Sequence, residues 1–293
     1  MLKEKTGGFV CIEEINMGMR INTNVSSLAA QRSLEINKRN QNDNLRKLST
    51  GLRITRAADD AAGLAISEKF KAYIRATRQA KRNAGDSISM IQTAEGGLGE
   101  ISNILIRMRE LSIQAASDTI GSPERDYTDV EYQELKSEIQ RIAKATSFNG
   151  KTLLDGQSGV LEFQIGQMND PVLDRISFDF TQANASTVAL GVENLSLATK
   201  LGAQQAITIL DDALIRVNGI RAKMGAAQNR LQSVINNLSI TDENISEANS
   251  RVRDIDVASE TAELAKNNIL VQSGVSVLSQ TNNSPSIALK LLG

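Results

Sequence analysis

The chain has 293 residues, enough for one large domain or two ordinary ones; 41% are hydrophobic, yet only 3% are aromatic and Trp is absent. Burial therefore rests on Ala, Leu, Ile and Val, which suits closely packed helices better than a ligand cleft. With 33 basic and 34 acidic residues the net charge is −1, so no field draws in nucleic acid and self-association is unopposed; the absence of His excludes His-ligated zinc and every nucleophile paired with a His, and the lone Cys11 excludes an internal disulfide.

In chain order, the first 18 residues hold one continuous apolar stretch, residues 9–12, followed by Glu13 and Glu14, which is not a cleavable secretory signal. No apolar run is long enough to span a bilayer, so membrane insertion is not expected. Residues 19–60 carry Leu28, Leu34, Ile36, Leu45, Leu48 and Leu52 among many Asn, Ser, Arg and Lys. That stripe has no partner within the chain except the opposite terminus, so other copies are expected to complete its burial.

Asp59 and Asp60 are adjacent and point different ways, which makes them a poor acid–base pair. The basic run Lys69, Lys71, Arg75, Arg78, Lys81 and Arg82 lies beside Glu68 and Asp86 with few aromatics, so it reads as an exposed or inter-subunit helix face rather than a nucleic-acid site. Ala84, Ile91, Leu98 and Leu105, with Ala94, Ile101, Met108 and Ala115, form an apolar seam about 50 Å long over residues 84–116. Gly96, Gly97 and Gly99 within it predict a close helix approach or a local bend; no strand precedes them and no Gly-Lys-Ser/Thr follows, so they are not a phosphate cradle. After Gly121, Ser122 and Pro123, a third amphipathic run of Tyr132, Leu135, Ile139, Ile142 and Ala145 returns antiparallel to the second.

The apolar period then changes to two. Leu161, Phe163 and Ile165 alternate with polar residues, as do Ile176, Phe178 and Phe180, with Asn169, Asp170 and Pro171 between them: a β-hairpin with an apolar face laid against the helices. Residues 181–200 read as a loop with short structured pieces. Beyond them Leu210, Val217, Met224, Leu231, Leu238, Ile245 and Val252 fall seven apart, with Ala213, Ile220, Ala227, Val234, Ala248, Ile255 and Ala262 at the companion position and Thr241 its one exception. Unbroken, this heptad stretch is a rod of about 85 Å. Residues 263–293 add Ile269, Leu270, Val275, Val277, Leu278, Ile287, Leu289, Leu291 and Leu292 as a second terminal stripe.

Several long motifs occur in fixed order: Ile21-Asn-Thr-Asn24, Leu48-Ser-Thr-Gly-Leu-Arg-Ile54, Ala57-Ala-Asp-Asp-Ala-Ala-Gly63, Arg109-Glu-Leu-Ser-Ile-Gln-Ala-Ala116, Phe148-Asn-Gly-Lys151, Ser250-Arg-Val-Arg-Asp-Ile-Asp256 and Gln272-Ser-Gly-Val-Ser-Val-Leu278. Over residues 19–293 the chain resembles bacterial flagellin. The resemblance implies a mainly α fold: long antiparallel coiled-coil helices from both chain ends (D0/D1-like) and a small β-hairpin in the middle. Residues 19–60 plus 252–293 would form an inner helical layer around a channel, 61–158 plus 201–251 the next layer, and 159–200 would replace a variable outer domain. Residues 1–18 have no counterpart in the family, and translation is expected to begin at Met19 or Met17.

The resemblance further implies a non-enzymatic subunit of the flagellar filament, without cofactor or metal, secreted unfolded through the flagellar type III apparatus. Inter-subunit packing would fall on Leu28, Leu34, Leu45, Leu48, Leu52, Ile269, Leu278, Leu289 and Leu292. An export chaperone would bind Ile269, Leu270, Val277 and Leu278, and a Toll-like innate immune receptor would contact Arg107, Leu111 and Glu131. Filament cap and hook-junction proteins would be further partners. The rival readings are a hook–filament junction protein, which would match the middle helices less well, and a secreted coiled-coil binding or effector module; growth on filament seeds separates them.

Overall fold

The computed structural model describes residues 23–292, and their side chains as far as residue 283. The expectations for residues 1–18 and for the side chains of Leu289 and Leu292 lie outside the described residues.

Helix ends are set by local chemistry. Helix α1 (Val25–Thr50) starts at Asn24, whose side chain accepts from the Ser27 N–H (3.0 Å), and stops at Gly51 with φ 68°, the left-handed residue that closes many helices. Helix α2 (Ala61–Ala115) follows Asp60, which accepts from the Gly63 N–H (2.9 Å). At its far end Arg125 donates to the carbonyls of Ala115 and Ser117 (2.9 Å each). Helix α3 (Ser122–Ala145) carries Pro123 in its first turn, where no N–H is needed.

Two small strand pairs follow. β1 (Ser147–Phe148) and β2 (Lys151–Thr152) flank Asn149 and Gly150, both at positive φ (49° and 79°), as a tight Asn-Gly hairpin turn requires. β3 (Val160–Gln164) pairs antiparallel with β4 (Arg175–Asp179), Phe163 opposite Ile176. The expected hairpin is present one residue earlier, because Phe180 turns into a 3-10 helix held by Asp179, which accepts from the Thr181 N–H. A single-turn helix α4 (Thr187–Leu190) precedes α5 (Lys200–Arg253) and α6 (Val257–Leu292).

The heptad rod does not run unbroken to residue 262. α5 ends at Arg253 and α6 begins at Val257, because Asp256 caps the new helix by accepting from the Ala258 N–H (2.9 Å). The intervening backbone is claimed by another segment: Leu52 bridges Asp254, the Arg53 N–H donates to the Arg253 carbonyl (2.7 Å), and the Ile255 N–H donates to the Gly51 carbonyl (3.1 Å).

The chain divides into two compact units, residues up to 65 with 250 onward, and residues 66–249. In the larger, α2 and α5 are antiparallel: Arg109 meets Asp211 (2.6 Å), Gln228 meets Glu95 (2.9 Å) and Arg78 meets Asp242 (3.1 Å). Their seams bury each other, Ile91, Leu98 and Leu105 beside Leu210, Val217, Met224 and Leu231. Each such side chain contributes roughly 1.5–3 kcal/mol. α3 lies antiparallel on α2, and the β3–β4 face adds Phe163, Ile176 and Phe180 to the same core. Of the three clustered glycines, Gly97 alone marks a close approach: a Cβ there would lie 2.7 Å from Thr146 Oγ1 and 2.9 Å from Leu154 Cδ1, while Gly96 and Gly99 face open space. The helix runs through all three.

Candidate assembly surface

In the smaller unit α1 and α6 run antiparallel, and their contact is unusual in chemistry. The half-buried and buried positions of α1 that face α6 include Ser27, Ala30, Leu34, Asn37, Gln41, Asn44 and Leu48; on α6 they include Glu260, Leu264, Asn267, Val271, Gly274, Leu278 and Thr281. Both sets step by three and four residues, which is coiled-coil spacing, yet about half of the side chains are polar. Asn24 donates to the Thr281 carbonyl (2.9 Å), Ser27 Oγ to Asn282 Oδ1 (2.7 Å), and Gln41 to Asn268. With the Asn44 amide oriented so that its nitrogen faces acceptors and its oxygen donors, it donates to Glu260 Oε1 and accepts from Asn267 Nδ2 (3.2 Å each); Lys47 lies 3.7 Å from Glu260. Leu34 packs on the bare backbone of Gly274, where a Cβ would come within 3.2 Å of it.

Many of the other aliphatic side chains point outward. Leu28 is 53% exposed and Ile269 63%, while Asn44 and Asn267 are 8% and 6% exposed. Val25, Ile36, Leu45, Val257, Leu270, Val275 and Val277 are exposed as well. The expected packing residues therefore divide. Leu28, Leu45 and Ile269 face outward, Leu34, Leu48 and Leu278 are half-buried at seam positions between α1 and α6, and Leu52 lies in the bridge to Asp254. The chaperone set divides too, with Ile269, Leu270 and Val277 exposed and Leu278 in the seam. The seam amides were missed in the sequence; their signal, a three–four spacing of small polar residues, lies under the more visible apolar stripe.

Beside this pair the segment 51–60 is held by Asp59, which accepts from the Thr55 hydroxyl (2.8 Å), the Thr55 N–H (3.0 Å) and the Arg56 N–H (3.0 Å). These bonds, Thr55's hydroxyl first, with the Arg46 guanidinium nearby, hold its carboxyl down to about 2. Neither Asp59 nor Asp60 has the geometry of an acid–base pair, since both spend their oxygens on backbone N–H groups.

In the larger unit Arg107 donates to Glu131 (2.9 Å) across α2 and α3 and to Glu110 (3.1 Å). Leu111 is not beside them on the surface: at 2% exposure it belongs to the subunit core. Of the three residues implied for a receptor, Arg107 and Glu131 are thus exposed as a pair, while Leu111 is enclosed in the isolated subunit. The basic run is solvated and partly neutralised: Arg78 pairs with Asp242, Lys71 lies 3.8 Å from Glu68, and Lys69 sits over the Tyr73 ring. Among the described residues no cluster of metal-ligating side chains occurs, and no helix is long and apolar enough to cross a membrane.

The bacterial flagellin N-terminal helical region matches residues 21–159, and the bacterial flagellin C-terminal helical region matches residues 207–292. A flagellin of Halalkalibacterium halodurans is 41% identical over 274 residues, covering 94% of this chain and 100% of that protein. A flagellin of Bacillus subtilis is 40% identical and the flagellar filament 33 kDa core protein of Treponema phagedenis 39% identical, each at the same two coverages. Long paired helices with a half-polar seam and aliphatic side chains on their outer faces define a structural, self-assembling subunit. The chain belongs to the bacterial flagellin family.

Proposed function

We propose that this protein is the structural, non-enzymatic subunit of a bacterial flagellar filament, polymerising with copies of itself outside the cell for swimming. The observation that carries the reading is the outward display of nine large aliphatic side chains on α1 and α6 over a polar seam. Covering each contributes roughly 1–3 kcal/mol, while association opposes binding by about 4–15 kcal/mol. Several must engage together, which a lattice of identical copies achieves. In that lattice the terminal pair, residues 19–60 with 252–293, supplies the inner wall, and residues 61–158 with 201–251 the next layer; residues 159–200 stand in for an outer domain. Purified chain added to short filament seeds is expected to lengthen them under the electron microscope; seeds that stay short in a chain-rich solution refute the reading.

Passage through the flagellar type III apparatus as an unfolded chain fits helices whose mutual seam is only half apolar. The exposed Ile269, Leu270 and Val277, with Leu278, are assigned to an export chaperone; equal capture by that chaperone after removal of residues 252–293 would discard the assignment. Cap and hook-junction proteins are assigned to the filament's two ends, tested by whether each binds seeds at one end only. Recognition by a Toll-like innate receptor is assigned to Arg107, Leu111 and Glu131, and undiminished receptor signalling by an Arg107→Ala, Leu111→Ala double variant would remove it.

A further inference from the structure

We infer that the amides between α1 and α6 are a register key: they select one alignment of the two terminal helices, and through it the pattern of aliphatic side chains that each copy offers to the next. Asn44 and Asn267 are the positioning residues at its centre. The consequence for assembly rests on the filament reading; the register itself does not.

The inference follows from what each kind of contact specifies. Apolar burial is non-directional, so an antiparallel coiled coil with aliphatic seam positions can slide by a heptad, about 10 Å, and rebury similar area. A buried amide is directional and loses its partners when it slides. Asn44 is nearly enclosed; with its amide oriented so that the nitrogen meets acceptors and the oxygen donors, it donates to Glu260 and to the Asn40 carbonyl of its own helix, and accepts from Asn267 and the Leu264 N–H across the seam. Three further rungs share that alignment, Gln41 to Asn268, Ser27 to Asn282 and Asn24 to the Thr281 carbonyl. Leu34 over Gly274 adds a close contact, since a Cβ shifted onto that spot meets the leucine Cδ1 at 3.2 Å and the leucine has to give by a few tenths of an ångström. A polar residue at a single seam position is known to specify register at some loss of stability; here the device is repeated along the helix.

The test uses the full chain with Cys11→Ser and spin labels on Ser33→Cys of α1 and Ser276→Cys of α6, diluted into unlabelled chain of the same sequence. The interspin distance is read on seeded filaments. With the native seam a single narrow distance is expected. Asn44→Leu with Asn267→Leu is expected to keep its helix content by circular dichroism, yet to broaden the distance into populations about 10 Å apart and to slow growth on native seeds at least tenfold. A narrow, native distance in that variant overturns the proposal, and so does a broadened distance with growth within twofold of native. Should that variant lose helix, Gln41→Leu with Asn268→Leu removes the neighbouring rung and is judged by the same two outcomes. If the native chain itself fails to extend seeds, the filament reading falls, and the distances are read in solution. There a broad native distance, or an unchanged one in the variant, still overturns the register key.

Discussion

At the scale of single residues, two kinds of polar contact do different work. Asn44 and Asn267 specify an alignment, whereas Asp59 holds a turn by accepting two backbone N–H groups and a hydroxyl. Because folding depresses the Asp59 carboxyl to about 2, its contribution is fully present above about pH 4, the range where an unfolded Asp titrates, and is lost as pH falls toward 2. Asp59→Asn is therefore expected to destabilise the terminal unit by about 1 kcal/mol at pH 7, discounted for its contact with solvent. Between pH 4 and 2 the variant should lose less further stability than the native chain, and melting followed by circular dichroism across that range checks both. Leu111, by contrast, is enclosed among the core residues of the larger unit.

At the scale of elements, the glycine cluster in α2 separates close packing from mere tolerance. Gly97→Ala should lose about 1–2 kcal/mol, because the new methyl enters space held by Thr146 and Leu154. Gly96→Ala and Gly99→Ala, facing open space, should each gain up to about 1 kcal/mol from helix propensity; urea unfolding of the three variants gives the order. The heptads of α2 and α5 were legible in the sequence because their seam residues are apolar and so repeat visibly. The β3–β4 hairpin was legible for the same reason at period two. The β1–β2 hairpin was not, since two-residue strands carry no period and its signal is the Asn-Gly turn alone. The end of α5 was hidden because Val252 and Ile255 continue the apolar count through a break made by hydrogen bonds from residues 51–53. Half of the α1–α6 seam was hidden by its polarity: the aliphatic stripe finds Leu34, Leu48 and Leu278 of the seam but mixes them with Leu28, Leu45 and Ile269 of the outer face, and passes over the amides.

For the whole molecule, the two units are expected to answer differently to charge. Ile269→Asp with Val277→Asp places carboxylates on the exposed face of α6, in the smaller unit. Elongation of seeds should stop, while the thermal unfolding of the larger unit stays where it was; growth at the native rate would mean that the aliphatic face is not what neighbours cover. A net charge of −1 leaves such growth little opposed by long-range repulsion. The wet seam also bears on mechanics. Grease shears easily because one methylene is as good a neighbour as the next, but a ladder of paired amides yields only when several rungs let go together. A rotating, bending propeller made of such subunits would concentrate its slippage between molecules and spare the helix pair within each, so that strain is taken up where it can be undone.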